Sequence, residues 1–177
     1  AEGDGVGLNV KAAPIDGGSA ASSPQLVLQN CSFRSNDSHG MVVSPESTDP
    51  VLVYNTLFAD GKGFGLVTPS ERTTVVNATF ANLEKGDMQL SDAGTVSRKV
   101  YNSTSWHNGP DATTASALPQ NGDFHNQVFD YAQDNDDVLH GPCFTSPEKG
   151  DYTIRPSFCL LGKGSNDAYN TQTVRRV

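Results

Sequence analysis

The stretch Val53-Tyr54-Asn55-Thr56-Leu57-Phe58 has the composition of a short β-strand with an Asn set inside it. Nearly the same phrase stands at 28–33 (LQNCSF), 75–80 (VVNATF), 100–105 (VYNSTS) and 124–129 (FHNQVF). Asn recurs at Asn30, Asn55, Asn77, Asn102 and Asn126, at intervals of 25, 22, 25 and 24. Two residues before each Asn stands an apolar side chain: Leu28, Val53, Val75, Val100 and Phe124. Three residues after it stand Phe33, Phe58, Phe80, Ser105 and Phe129, so only the fourth phrase departs, with Trp106 one place late. A second landmark is Gly40, Gly65 and Gly86, which lie 10, 10 and 9 residues beyond their Asn, and Gly7 begins an isolated copy of that half-phrase. The distance from Gly to the next Asn varies more, at 15, 12 and 16, so one edge of the repeat is a fixed turn and another accepts insertions.

Units of about 24 residues with two or three short strands each cannot bury a core alone and must stack. One coil per repeat, each strand pairing in parallel with its equivalent about 4.8 Å away, satisfies both the backbone and the apolar positions. The expected fold is an all-β, right-handed parallel β-helix of about five to six coils over residues 1–140. In it Asn30, Asn55, Asn77, Asn102 and Asn126 form an internal amide ladder at a tight corner, and the Phe residues stack inside the coil.

Composition agrees with that class. The 17 Gly and 10 Pro in 177 residues favour many short elements joined by turns. A net charge of −8 excludes the basic face that a nucleic-acid backbone or an anionic membrane requires. No run approaches the roughly 18 apolar residues of a membrane span. The chain opens in mid-coil, which predicts a preceding portion or another chain over the first coil and makes that open coil a route to oligomers.

These phrases resemble the right-handed parallel β-helix of the pectate-lyase-like superfamily, in which coils of this length carry an Asn ladder and stacked aromatics. The tail is similar to the closing segment of secreted bacterial β-helix surface proteins: Phe144, Gly150-Asp151-Tyr152 and Pro156-Ser157 match, whereas Phe158-Cys159 replaces the usual Pro-Ala. Residues 141–177 are therefore expected to cap the last coil. The resemblance implies a secreted or cell-surface protein. Its partners would be glycans, neighbouring copies or other surface proteins.

Candidate sites are few. Lyases and epimerases of that superfamily use a Lys or Arg as base; Lys62 and Lys85, with Asp60 and Asp87, are the residues that could share one face, while Arg34 stands apart from them. The acidic group around Asp130, Asp134, Asp136 and Asp137 reads first as a solvated turn, and Asp134, Asp136 and Asp137 read second as a calcium site. No other cofactor is implied. Tyr101 and Trp106 would suit stacking on a sugar ring if exposed, the competing reading being that Trp106 fills the place of the missing Phe by a one-residue slip. His39, His107, His125 and His140 fall at different offsets and read as surface or turn residues. Cys143 and Cys159 are spaced for a local disulfide in an oxidising compartment, and Cys31 reads as a small half-buried hydrophobe. Of four glycosylation sequons, Asn36 is the credible acceptor, because the other three Asn are ladder positions expected to face inward. The favoured expectation is a non-enzymatic extracellular surface, filament or adhesion module. The rivals are a polysaccharide lyase, epimerase or hydrolase, or a fragment of a phage tail fibre or tailspike.

Overall fold

The computed structural model describes residues 5–11, 26–45, 50–68, 73–90, 99–101, 103–109, 123–125, 128–130 and 144–154. In chain order these hold β1 (Leu8–Val10), β2 (Leu26–Gln29), β3 (Ser32–Arg34), β4 (Met41–Val43), β5 (Val51–Tyr54), β6 (Leu57–Ala59), β7 (Phe64–Thr68) and β8 (Thr73–Val76). They continue with β9 (Thr79–Ala81), β10 (Gly86–Leu90), β11 (Lys99–Tyr101), β12 (Thr104–Trp106), β13 (Asp123–His125), β14 (Val128–Asp130), β15 (Phe144–Ser146) and β16 (Asp151–Ile154). No α-helix occurs among the described residues.

As far as β12 each strand pairs with the third one along, and β11 and β12 then pair with β13 and β14. The first sheet has the order β1-β4-β7-β10, the second β13-β11-β8-β5-β2 and the third β14-β12-β9-β6-β3, all parallel. This is a stack of coils compatible with a β-solenoid. Register follows the repeated phrase: Val53 pairs with Leu28 and Val75, and Phe58 with Phe33 and Phe80. The connections from the first sheet to the second differ in length from coil to coil, while those from the second through the third and back keep step, which is the fixed and the tolerant edge that the spacing predicts.

The core is the inside of the coil. Leu28, Val53, Val75 and Val100 from the second sheet meet Met41, Leu66 and Met88 from the first and Phe58 and Phe80 from the third. Phe33, Phe58 and Phe80 stack with ring centroids 5.2 and 5.1 Å apart and planes 9° and 6° from parallel, a spacing imposed by the strand separation. A Cβ on Gly7, Gly40 or Gly65 would stand 2.8, 2.7 and 2.8 Å from Cδ1 of Phe33, Phe58 and Phe80 respectively, so the rings occupy the space that side chains there would need. The glycine landmark is thus a packing position. Its fourth member is not Gly86, which pairs with Phe64, but Asp87, which falls in register with Gly65.

Two corners per coil use left-handed backbone. Asn30, Asn55 and Asn77 have φ of 55, 50 and 52°, and Ser35, Asp60, Asn82 and His107, five residues beyond each repeat Asn, have φ of 52, 57, 54 and 52°. Asn, Asp and His are the non-glycine residues that tolerate this region best, which explains their recurrence. At the first corner the side chains turn outward. Asn30 and Asn55 are exposed and Asn77 half-buried, so the inward-facing amides expected from the repeat are not what the described corners carry. The inward places belong to the apolar residues two positions earlier.

Of the tail, residues 144–154 are described. β15 and β16 form an antiparallel hairpin around a 3-10 turn at Pro147–Lys149. Phe144 and Tyr152 pack on the outer face of the third sheet against Ala59, Ala81 and Trp106. The hairpin therefore runs along the side of the stack.

Candidate functional site

A groove of about 450 Å³ runs beside the hairpin, lined by Asn30, Cys31, Asn55, Thr56 and Asn77 from the first corner, Arg34, Leu57 and Thr79 from the strands beyond it, and Asp151, Tyr152 and Thr153 from β16. The stacking of coils places these groups. Because each corner Asn sits one coil above the next, Asn55 Nδ2 reaches Asn30 and donates to its Oδ1 at 2.6 Å. Thr79 pairs in register with Leu57, and both are half-buried, so the floor beside the amides alternates hydroxyl and apolar surface.

The far wall is fixed by polar ties from the hairpin to the first two coils. Arg34 Nη1 donates to the Gly150 carbonyl at 2.6 Å, Arg34 Nε donates to Ser32 Oγ at 3.3 Å, and the guanidinium lies 5.5 Å from the centre of the Tyr152 ring. The Tyr152 hydroxyl donates to Asp60, whose carboxylate also lies 4.0 Å from Arg34 and accepts from Asn82 Nδ2 at 3.0 Å. Burial, with the Asp60 carboxylate beside it, holds the Tyr152 phenol well above its ordinary pKa, so it stays a donor. Thr153 bonds the Asp151 carboxyl and holds it below the usual carboxylate range. Among the described residues the groove thus offers amides, hydroxyls and the Asp151 carboxylate, and its cation, Arg34, is engaged on several sides.

The residues that would serve a lyase do not converge. Lys62 Nζ bonds Asp37 Oδ1 at 2.7 Å on the exposed surface. That hydrogen bond raises the Lys62 pKa and lowers that of Asp37, the opposite of what a lysine base needs. Asp60 is at an outer corner and Asp87 is inside the coil, so the two carboxylates share no face.

Tyr101 and Trp106, which would suit stacking on a sugar ring if exposed, are both buried. Tyr101 is 1% exposed and Trp106 5%. The slip reading of Trp106 also fails, since Ser105 pairs with Phe80 and occupies the Phe row while Trp106 pairs with Ala81 and faces outward under the hairpin. Trp106 lies edge-on to Phe144 at 5.8 Å, and its Nε1 is buried with no acceptor among the described residues. Tyr101 packs with Leu52, Val76 and Tyr54 on the outer face of the second sheet.

The remaining candidates divide plainly. Asn36 is half-buried, with its Oδ1 against Gly7, whereas Asn30, set aside as a glycosylation acceptor because it should face inward, is exposed. Cys31 is half-buried in the groove, its thiol directed at the Gln29 carbonyl 3.4 Å away. Asn102, Asn126, Asp134, Asp136, Asp137, His140, Cys143 and Cys159 lie outside the described residues. Among the described residues no three His, Cys, Asp or Glu side chains gather to hold a metal.

The sequence reading missed the second left-handed corner, although a polar residue five places after each repeat Asn was there to be seen. That corner forms its own row: Asn82 Nδ2 donates to Asp60 at 3.0 Å, and His107 Nδ1 lies 3.2 Å from Asn82 Oδ1. Comparison of the chain with protein-family models, curated proteins and solved structures finds no match.

Proposed function

We propose that this chain is an extracellular β-solenoid binding module, secreted or displayed at a cell surface, whose outer groove takes a neutral glycan. On this reading the coils are right-handed and number five to six, the amide row continues through Asn102 and Asn126, and the scaffold is akin to the pectate-lyase-like superfamily. The observation that carries the function is the row of corner amides, Asn30, Asn55 and Asn77, opening onto a groove with Thr79 and the hairpin wall. Amides and hydroxyls supply both donors and acceptors at fixed spacing, which suits sugar hydroxyls better than a charged ligand. Arg34 supports that choice, because its guanidinium is already satisfied by Gly150, Ser32 and the Tyr152 ring.

A glycan array spanning neutral and acidic polysaccharides, followed by calorimetric titration of the best ligand, tests this. Thr79→Val keeps the β-branched shape and removes one hydroxyl from the groove; we expect it to weaken binding by about tenfold, the worth of one hydrogen bond. An array without a hit, or a ligand held equally by the variant, would remove the groove from consideration.

A further inference from the structure

Three coils share one packing rule, and the fourth inverts it. Phe33 sits over Gly7, Phe58 over Gly40 and Phe80 over Gly65; in the next coil the ring is replaced by Ser105 and the glycine by Asp87. The exchange conserves space, a small residue above a larger one. It also puts a carboxyl where the other coils have an aromatic ring. Asp87 is 4% exposed and Ser105 equally buried.

Asn108 completes the cluster. Its Oδ1 accepts from the Leu83 N–H at 2.8 Å, and its Nδ2 bonds the Asp87 carboxyl, the Phe80 carbonyl at 3.0 Å and Ser105 Oγ at 3.1 Å. Asn108 thereby ties the corner after β12 to the coil before it, next to the bond from Gly109 N–H to the Leu83 carbonyl. Asp87, Ser105 and Asn108 close one polar knot inside the coil.

We propose that Asp87, Ser105 and Asn108 form a proton-operated joint, in which the neutral carboxyl keeps the fourth coil closed and the charged one loosens β12 and the corner after it. A buried carboxylate needs a cation or several donors. Here β7, β9 and β12, which pack around Asp87, carry no charged residue. Glu84 and Lys85 before β10 are exposed, His39 lies on Phe64 with its Nδ1 accepting that residue's N–H, and His107 at the corner faces Asn82. Among the described residues only Ser105 and Asn108 stabilise the anion, and burial outweighs them, raising the Asp87 pKa to about 7. The unfolded value is 3.8, so folding retains a proton between those limits and stability falls as pH rises from about 4 to about 7. His39 acts in the other direction: burial, with Lys85 nearby, lowers its pKa from 6.5, so its contribution is lost as pH falls below that value. The difference between wild type and an Asp87 variant cancels the His39 effect.

This inference does not depend on the proposed ligand. Its test is thermal unfolding from pH 4 to 8.5 for wild type, Asp87→Asn and the double variant Asp87→Gly/Ser105→Phe, with carboxyl carbon NMR of Asp87 and amide exchange at Thr104 and Gly109. The double variant recreates the packing that Phe33, Gly7 and Asn36 already make, with Asn at the place of Asn108, and it carries the test if Asp87→Asn fails to fold. We expect the Tm of wild type to fall relative to both variants as pH rises to about 7 and then to run parallel. The carboxyl should titrate near neutrality. The amides that bond Ala78 and Leu83 should exchange about tenfold faster in wild type at pH 8 than in the variants, after correction for intrinsic rates. Parallel stability curves throughout, or a carboxyl titrating near 4, would overturn the proposal.

Discussion

A single backbone angle explains why Asn55 stands inside a strand-like phrase: its φ of 50° ends one strand and begins the next. Alanine there is strained, so Asn55→Ala should cost about 1–2 kcal/mol in chemical denaturation, whereas Asn55→Gly, which loses the same bond to Asn30 but keeps the conformation, should cost less. Gly40 is constrained from the other side, since a Cβ would stand 2.5 Å from the Gly65 carbonyl oxygen, a backbone atom that cannot swing away. Gly40→Ala should therefore destabilise by about 3 kcal/mol. How legible these residues are in sequence differs in kind. The Asn and Phe rows are visible because each repeats one residue type at a near-constant interval. The exchange of Phe over Gly for Ser105 over Asp87 was signalled only by an interval of 9 in place of 10 at Gly86, and recognising it required knowing that Phe and Gly share one space.

At the scale of elements, the hairpin is the part that sequence could not place. Its ties to Arg34 and Asp60 span 116 and 92 residues, and no local pattern encodes contacts so distant. Phe144 and Tyr152 cover the outward Trp106. Trp106→Ala should cost about 3–5 kcal/mol and release the hairpin to limited proteolysis, while Tyr152→Phe, losing one bond to Asp60, should cost about 1 kcal/mol and leave it protected. Connections behave by position as well. A four-residue Gly/Ser insertion between β4 and β5 should cost less than about 1 kcal/mol. One residue inserted between Asn55 and Leu57 would put β6 out of step with β3 and β9 and should cost several times more than the insertion between β4 and β5.

For the molecule as a whole, the account rests on one arrangement: residues a coil apart in sequence are neighbours across a strand gap, and residues two coils apart are not. The Phe row expresses this most simply, with Phe58 between Phe33 and Phe80. Ring-proton NOEs in a sample labelled at phenylalanine measure it directly. Cross-peaks from Phe58 to both Phe33 and Phe80, with none between Phe33 and Phe80, are the predicted result. Cross-peaks joining Phe33 to Phe80, or none joining Phe58 to either, would contradict the parallel stack and with it the groove, the hairpin's seat and the Asp87 joint.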